Sequence, residues 1–517
     1  MGWQTHRVRV RSAADTIAGS LAALGALVIA LVQLRDGVLP ILDTVTYWSG
    51  TENLTRGHVF STTLAPAFSN FDAIEFLSRG GRLPFVDFPV GYPVVAGVLG
   101  LVIGSSAAMA ALTVIALVVL VALVVRGGST TDRSPLRATT LVVVAVGIVA
   151  LPTTRLVTHG ALSEPLFTAV VVGLVLALAS YRTTGRWWVV AALVIAASML
   201  RFIGGPLALL AGWERFQRTR RTGESIVWTV ALMAPALANI VLASAAGGGH
   251  DAGWRGVERL DLELFVRSIG GWFDSSQGDL TRTYFVDRSP AWWSWPLAIV
   301  WIGALAYALV GIVRRRSRLN AVSELALAAA AIVTAGLVLG FLGFDALVVP
   351  DNRLMLPAGV LTICALVWSV PPTKRWAAAS LVFALAWFAV ATAPSGLDQP
   401  FTEPSRTDPY EDMIAGFDPR AIVSNDADGM HWATGIPAVY APTPVKPLTG
   451  ERVDTAPLYA ELPCALDRAD AIVVIVDTAE FSSADQEALD AEVDNGRLES
   501  TSRPGATIYS PGAIACD

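Results

Sequence analysis

Asp43 is the residue whose type and position most favour chemistry, because it lies shortly after the first long apolar run. We expect its carboxylate at the edge of a membrane, where an acid is costly to desolvate and usually has a partner or a function. Partial burial raises the pKa of a carboxyl group, which suits a general base acting on an acceptor hydroxyl. The structural alternative is that Asp43 caps a helix or bonds to Thr46.

Asp87 is a second acid in the same polar segment and precedes a short apolar stretch whose start is fixed by Pro89 and Pro93. It is either a second carboxylate on the acceptor side or the cap of that short helix. Both interpretations remain open.

His159 and Glu164 flank a further polar loop, in which Glu164 is followed by Pro165. This pair can belong to a binding site. The alternative for Glu164 is a helix start, where an acid compensates the helix macrodipole.

Arg201 and Arg353 each interrupt apolar sequence at the end of a run where the distribution of positive charge does not favour a cation. A guanidinium group in that position can bind a phosphate in bidentate geometry. The alternative is a salt bridge to a neighbouring acid, such as Asp345 or Asp351 for Arg353.

Other motifs are set aside. The spacing Asp426-Ala427-Asp428 is that of a metal and nucleotide-sugar motif, but we expect it outside the cell and interpret it as a loop. Five scattered histidines without paired His or Cys spacing argue against a dedicated zinc site, while a divalent metal stays open, and no glycine-rich loop with lysine indicates ATP binding. We expect no cofactor.

Composition decides the class of protein that must position these residues. The chain has 517 residues, 54% of them hydrophobic and 15% charged, with a mean hydropathy of +0.55. Soluble domains are about 25% charged, so a soluble enzyme and a nucleic-acid-binding protein are both excluded. The sequence predicts an all-α polytopic membrane bundle that carries a small C-terminal α/β domain.

Apolar runs of spanning length begin near residues 13, 106, 136, 163, 186, 202, 226, 291, 321, 353 and 376. The shorter run at 89–104, counted as a span, would place Arg126, Arg133 and Arg137 outside, against the positive-inside rule. We therefore predict about eleven transmembrane helices, a re-entrant or juxtamembrane helix at 89–104, a cytoplasmic N-terminus and an extracytoplasmic tail.

The predicted domains are a transmembrane domain at 1–393, with outer loops 35–105 and 247–290, and a soluble domain at 394–517. The second part carries 22 acidic and 7 basic residues. In it we predict strands at 420–424, 471–477 and 506–509 and a helix at 482–496. Cys464 and Cys516 can pair there if the compartment is oxidising.

The order of these motifs resembles the GT-C superfamily of polyprenyl-phosphate-sugar-dependent membrane glycosyltransferases, over roughly residues 12–393. The resemblance rests on five features in sequence on the same face. They are Asp43 with Tyr47 four residues on, the segment 87–93 with Asp87 and Tyr92, the helix start Ser163-Glu164-Pro165, Arg201 in Arg201-Phe202-Ile203-Gly204, and Arg353 near Pro357.

The resemblance implies an inverting transfer of a sugar from a polyprenyl-phosphate donor to a cell-envelope glycolipid or polysaccharide acceptor, outside a bacterial plasma membrane. It implies that Asp43 is the base, with Asp87 and Asp72 as alternatives, and that Arg201 and Arg353 bind the donor phosphate. Tyr47, Asp87, Tyr92, His159 and Glu164 complete the expected substrate site.

Arginine outnumbers lysine 35 to 2, which suits a high-GC genome such as that of an actinobacterium. Mannose or arabinofuranose are the sugars expected on that basis. The rival hypotheses are a secondary transporter or flippase of envelope precursors, and a non-catalytic scaffold of envelope assembly.

Overall fold

The structure is a computed structural model. It describes residues 13–35, 37–39, 42–65, 72–85, 88–129, 135–246, 303, 310, 320–343, 352–369, 408–442, 455–477, 479 and 481–513. The helices of the first part are α1 (Ala13–Gln33), α2 (Leu42–Thr55), α3 (Ala73–Ser78), α4 (Gly91–Ile103), α5 (Ser105–Gly128), α6 (Pro135–Ala150), α7 (Pro152–His159), α8 (Glu164–Thr184), α9 (Trp187–Leu200), α10 (Leu207–Thr219), α11 (Thr222–Ala246), α12 (Ala321–Gly343) and α13 (Asn352–Ser369).

The C-terminal helices are α14 (Asp408–Ile414), α15 (Ala427–Thr434), α16 (Ala456–Ala469) and α17 (Ser483–Asp494). The strands are β1 (Ser61–Thr62), β2 (Leu64–Ala65), β3 (Leu83–Pro84), β4 (Ala421–Ser424), β5 (Ala438–Tyr440), β6 (Ala471–Val476), β7 (Leu498–Arg503) and β8 (Ala506–Pro511).

Five of the described helices are long and apolar enough to cross a membrane, namely α1, α5, α8, α11 and α12. The pair α6 and α7, bent by 58°, forms a sixth span if it is counted as one. The chain is therefore a multi-pass membrane protein. The count of eleven stays a prediction, because residues 247–302 and 370–407 lie outside the described segments.

Helix α4 has 13 residues, about 20 Å, which is too short for a hydrocarbon core of about 30 Å. It is joined to α5 at Gly104, whose φ of +83° suits glycine. At its other end a Cβ on Gly91 would collide with the carbonyl oxygen of Met199, so the helix packs directly against the end of α9. This arrangement agrees with the expected short helix at 89–104.

The span predicted from residue 202 is shorter than expected. A 3-10 turn at Phe202–Gly204 precedes α10, which has only 13 residues and is not among the helices that pass the length and apolarity test. Gly204, Gly205 and Pro206 interrupt the helix, since neither residue type favours a helix interior.

At the end of the bundle away from Arg201, ion pairs join helices α8, α10 and α12. Arg182 of α8 donates to Glu214 of α10 through Nε at 2.8 Å and Nη2 at 2.7 Å, and its Nη1 lies 3.4 Å from Glu324 of α12. Because Arg201 contacts the first turn of α8 and Glu214 contacts its last turn, α10 runs between the same two ends as α8.

A six-stranded sheet forms the C-terminal part, in the order β2-β5-β4-β6-β8-β7. The first four strands are parallel, and β8 and β7 are antiparallel to their neighbours. Strand β6 is buried along its whole length, as expected for a parallel strand with both faces covered.

Helices on the two faces follow adjacent strands. Helix α15, which follows β4, packs on one face through Ala427 and Met430, while α16, which follows β5, packs on the other through Leu462 and Leu466. Helix α17, which follows β6, packs on the same face as α16 through Leu489. The connections that leave the adjacent strands β4 and β6 therefore diverge to opposite faces, and the topological switch point, where open α/β sheets place ligands, lies between the carboxyl ends of β4 and β6.

The predicted strands at 420–424, 471–477 and 506–509 and the helix at 482–496 are confirmed to within two residues, with Ser482 as the cap of α17. The sheet also includes β2, a strand from the first predicted loop, which pairs with β5. The division at residues 393 and 394 stays a prediction. Asp426-Ala427-Asp428, interpreted as a loop, is instead the start of α15.

The cysteines differ in state. Cys464 is disulfide-bonded and Cys364 is free and buried. Cys516, with which Cys464 was expected to pair, lies outside the described residues.

Candidate active site

Helix α2 carries Asp43 in its first turn and lies between the membrane bundle and the C-terminal sheet. Most of its polar side chains are buried, and several of them have hydrogen-bond partners. Ser49 Oγ lies 2.9 Å from Thr62 Oγ1, and Asn53 Nδ2 donates to the Ser49 carbonyl oxygen at 2.9 Å. A helix with so few apolar residues is stable here because both of its sides are covered and buried polar groups such as Ser49 and Asn53 have partners.

Asp43 is 8% exposed and pairs with Arg353, whose Nη1 lies 2.5 Å from Asp43 Oδ2. Arg353 occupies the first turn of α13, where the helix macrodipole disfavours a cation. The Asp43 carboxylate offsets that cost. The expected partners of Arg353 in a structural interpretation, Asp345 and Asp351, lie outside the described residues.

Glu164 completes the charged group. It is 1% exposed in the first turn of α8, and its Oε1 lies 2.8 Å from Arg201 Nη1 and 3.4 Å from Arg353 Nε. Arg201 caps the C-terminal end of α9, where a cation is favoured. We call Asp43, Glu164, Arg201 and Arg353 the charge cluster; its two acids and two bases balance.

Ser163 joins the charge cluster to α2 and was not among the predicted site residues. Its Oγ lies 3.0 Å from the Tyr47 hydroxyl and accepts from Arg201 Nη1 at 3.0 Å. A serine before Glu164-Pro165 was expected only as part of a helix start. In the structure its side chain makes no capping bond, so the hydroxyl is available to the site.

We expect Ser163→Ala to lower the free energy of unfolding by about 1–3 kcal/mol, because it leaves the buried Tyr47 hydroxyl without this partner. Ser163→Ala combined with Tyr47→Phe should cost less than the sum of the two single changes. Thermal unfolding of the four proteins in detergent tests this. Strict additivity would show that the bond contributes no stability.

The remaining predicted residues fall into three groups. Tyr92 packs against the Tyr47 ring with centroids 4.9 Å apart, and its hydroxyl donates to the Ala161 carbonyl oxygen, so it supports Tyr47 from behind. The His159 imidazole lies 3.3 Å from Arg155 Nε on its own helix. Asp87 lies outside the described residues.

Asp72, an alternative base, is exposed and caps α3. Its Oδ1 accepts a hydrogen bond from the Glu75 backbone N–H at 2.8 Å. This arrangement gives Asp72 a structural role at a helix start.

Two buried titratable groups of α15 lie beside α2. Burial raises the pKa of Asp428 to about 7, and the nearby Asp426 and Asp43 carboxylates add to this. Burial lowers the pKa of His431 to about 4, so the imidazole is neutral near pH 7. His431 Nδ1 lies 2.6 Å from the Ile436 carbonyl oxygen, and its ring packs 5.3 Å from that of Trp48.

We expect Asp428→Asn to raise the unfolding temperature above pH 7 and to leave it unchanged near pH 4. The folded carboxyl group keeps its proton up to about pH 7, whereas the unfolded one loses it near 3.8. The folded state therefore binds more protons between these values, and the Asp428 contribution to stability falls as the pH rises. Asparagine resembles the protonated form throughout.

The measurement is the unfolding temperature of both proteins in detergent from pH 4 to 8. His431 acts in the opposite direction, because between pH 4 and 6.5 the unfolded state binds its proton, so its contribution rises with pH. Because His431 is present in both proteins, its contribution cancels in the difference between their unfolding temperatures. A difference independent of pH would contradict the prediction.

Among the described residues, no group of three His, Cys, Asp or Glu side chains is placed to hold a metal ion.

No protein-family model matches the chain. No curated protein matches it significantly either. Among solved structures, the chain is similar to ArnT from Cupriavidus metallidurans bound to undecaprenyl phosphate, with a TM-score of 0.46 and 13% identity over 96% of this chain and 98% of that one. It is similar to the apo state of ArnT with a TM-score of 0.43, 13% identity and the same coverage. These likenesses concern the overall course of the chain, and no residue role follows from them.

Proposed function

We propose that the chain is a membrane glycosyltransferase that moves a sugar from a polyprenyl-phosphate donor to a cell-envelope acceptor, with inversion and with Asp43 as general base. The reaction takes place on the extracytoplasmic side of a bacterial plasma membrane, with the N-terminus in the cytoplasm. The proposed acceptor is a glycolipid or polysaccharide, and the proposed sugar is mannose or arabinofuranose.

The observation that carries the proposal is the charge cluster. A buried carboxylate and two arginines from three different helices meet next to the first turn of α8, with side-chain exposures of 11% for Asp43, 13% for Arg201 and 25% for Arg353. Buried charge of this kind is costly, and replacing it with apolar residues is often neutral or stabilising. A function for the charges explains why the site holds them.

The chemistry needs each of these groups. The acceptor oxygen attacks the anomeric carbon, its proton passes to Asp43, and the bond from that carbon to the phosphate oxygen breaks. The leaving group is polyprenyl phosphate, and attack opposite to it inverts the anomeric centre. Arg201 and Arg353 stabilise the charge that develops on the phosphate, which is the effect that contributes most in many enzymes.

Local charge is conserved during this step. The phosphate gains one negative charge as the bond breaks, and Asp43 loses one as it accepts the proton. The two arginines therefore face the same total charge before and after transfer. No nucleotide is needed, because the lipid chain can remain in the bilayer while the phosphate reaches the arginines.

The donor phosphate would compete with Asp43 for Arg353. Without a ligand, the Arg353 guanidinium binds the Asp43 carboxylate that the reaction needs as a base. A phosphate that takes over Arg353 Nη1 releases Asp43 for the acceptor hydroxyl. Donor binding would thus precede base activation.

The test is transfer by purified protein in lipid nanodiscs, supplied with radiolabelled polyprenyl-phosphate mannose or arabinofuranose and an extract of envelope lipids. Label in the acceptor fraction supports the proposal. Folded protein that transfers neither sugar contradicts it and leaves transport by reconstituted vesicles, or scaffolding in envelope assembly, as the alternatives to measure.

A further inference from the structure

Beside the switch point, the carboxyl ends of β4 and β5 carry polar and aromatic side chains that the proposed transfer step does not use. Asp428 follows β4, and Tyr440 ends β5. The two are joined by a hydrogen bond in which the Tyr440 hydroxyl donates to Asp428 Oδ2 at 2.9 Å. Open α/β sheets bind ligands outside the carboxyl ends of their strands at such a point.

One carboxylate oxygen at this point has no partner. Asp428 Oδ1 is buried and accepts no hydrogen bond from the residues that the structure describes. A buried acceptor left without a hydrogen bond destabilises the folded protein. An arriving donor group would offset that destabilisation.

Aromatic rings lie on the same helix as Asp428 and on α2, which packs against that helix. Trp432 is half-buried one turn after Asp428, and its ring packs edge-on against the half-buried Trp48 with centroids 5.3 Å apart. His431 packs against the same Trp48 ring and bonds to the backbone, which fixes the arrangement. Rigid aromatic faces beside one polar acceptor are typical of small-molecule sites.

We propose that Asp428, Trp432 and Trp48 form a subsite for a carbohydrate ring of the acceptor, with a sugar hydroxyl donating to Asp428 Oδ1 and the apolar face of the ring against the tryptophans. The assignment of the sugar to the acceptor rests on the proposed function. The carbohydrate site itself rests on the geometry of β4, β5 and α15.

The subsite is within reach of the proposed base. Trp48 and Asp43 lie on the same helix five residues apart, which is about 7.5 Å along its axis. The Asp43 carboxylate is also close enough to raise the pKa of Asp428. Five residues are also about 140° around the helix axis, so a carbohydrate that binds at the tryptophans must extend around α2 to present a hydroxyl to Asp43.

A cation fits this place less well. Both oxygens of the neighbouring Asp426 are used, because Oδ2 accepts from the Tyr410 hydroxyl at 2.5 Å and Oδ1 accepts from the Gly429 N–H at 3.3 Å. A divalent ion needs about six oxygen ligands, whereas Asp428 offers one open oxygen. A neutral hydroxyl donor matches a single acceptor between aromatic rings.

The experiment measures saturation transfer by NMR from the full-length protein in nanodiscs to methyl glycosides of mannose, glucose, galactose and arabinofuranose, with no donor present. Asp428→Ala and Trp432→Ala are compared with wild type. The matched control is Asp412→Ala, which changes an exposed acid of α14. Thermal unfolding verifies that each variant is folded.

We expect an NMR saturation-transfer signal for at least one glycoside. Binding of that glycoside should be about tenfold weaker in Asp428→Ala and in Trp432→Ala and unchanged in Asp412→Ala. If Asp428→Ala does not fold, Trp432→Ala decides, since that side chain is half-buried and easier to remove. No signal with any glycoside, or an undiminished signal in folded Trp432→Ala, overturns the inference.

The two proposals can fail separately. Sugar binding that persists in a protein without transferase activity would keep the carbohydrate subsite and reject the glycosyltransferase. Transferase activity without sugar binding would keep the glycosyltransferase and reject the carbohydrate subsite.

Discussion

Asp43→Asn is expected to lower the rate of sugar transfer by about 10²- to 10⁴-fold while the protein remains folded. The amide has nearly the shape of the carboxylate, but it cannot accept the acceptor proton. It also gives up the charged contact with Arg353, so that guanidinium becomes more available to a phosphate. Donor binding should therefore be equal to that of wild type or tighter.

The measurement is transfer in nanodiscs together with binding of polyprenyl phosphate. Asp72→Asn is the matched control, because Asp72 is an exposed cap that asparagine can replace. Transfer that survives in Asp43→Asn but is lost in Asp87→Asn would assign the base to Asp87. A parallel loss of donor binding in Asp43→Asn would instead make Asp43 a binding residue.

Arg201→Gln is expected to lower the free energy of unfolding by about 3–5 kcal/mol, because it breaks the closest ion pair of a Glu164 that is 1% exposed. The same change should weaken the binding of polyprenyl phosphate by about 10- to 100-fold, since a charged donor to the phosphate is lost. The two effects have different causes and can be separated.

The double variant Glu164→Gln/Arg201→Gln separates them. Two amides of similar volume leave no unpaired charge at this pair, so we expect most of the stability to return while phosphate binding stays weak. Arg186→Gln is the control, since it removes an exposed arginine from the other end of α9. Binding equal to wild type in the double variant would assign Arg201 a structural role and leave the phosphate to Arg353.

The sequence predicts the long apolar helices and the buried strands well, because hydrophobic length and composition alone determine them. It does not predict β7, whose residues Leu498–Arg503 are mostly polar and exposed, or the two-residue strand β2. Such strands form through pairing with distant partners and have no local period of their own. The interruption at Arg201 was predicted, but the helix after it begins only at Leu207, because Gly204, Gly205 and Pro206 follow the apolar residues Phe202 and Ile203.

For the candidate site, residue type and placement single out Asp43, Glu164, Arg201 and Arg353, which the structure brings together, but they do not predict the contacts between them. Asp43 and Arg353 are 310 residues apart, and no local pattern indicates that they pair. The role of Ser163 was missed because serine at a helix start suggests a cap, whereas its hydroxyl bonds to Tyr47 and Arg201. Asp428 was set aside together with the Asp-x-Asp motif of another class of enzyme. Its role was missed because its environment depends on how β4 and β5 lie side by side, which no local pattern shows.

The pairing of β2 with β5 determines whether the number of membrane crossings between these strands is even or odd. Backbone hydrogen bonds join Leu64–Ala65 to Ala438–Val439, and an open sheet of this kind is not tolerated in contact with lipid. Both segments must therefore reach the same aqueous compartment. The chain between residues 65 and 438 then crosses the bilayer an even number of times, a condition that the ten predicted runs from residue 106 to residue 376 satisfy and that any odd number would violate.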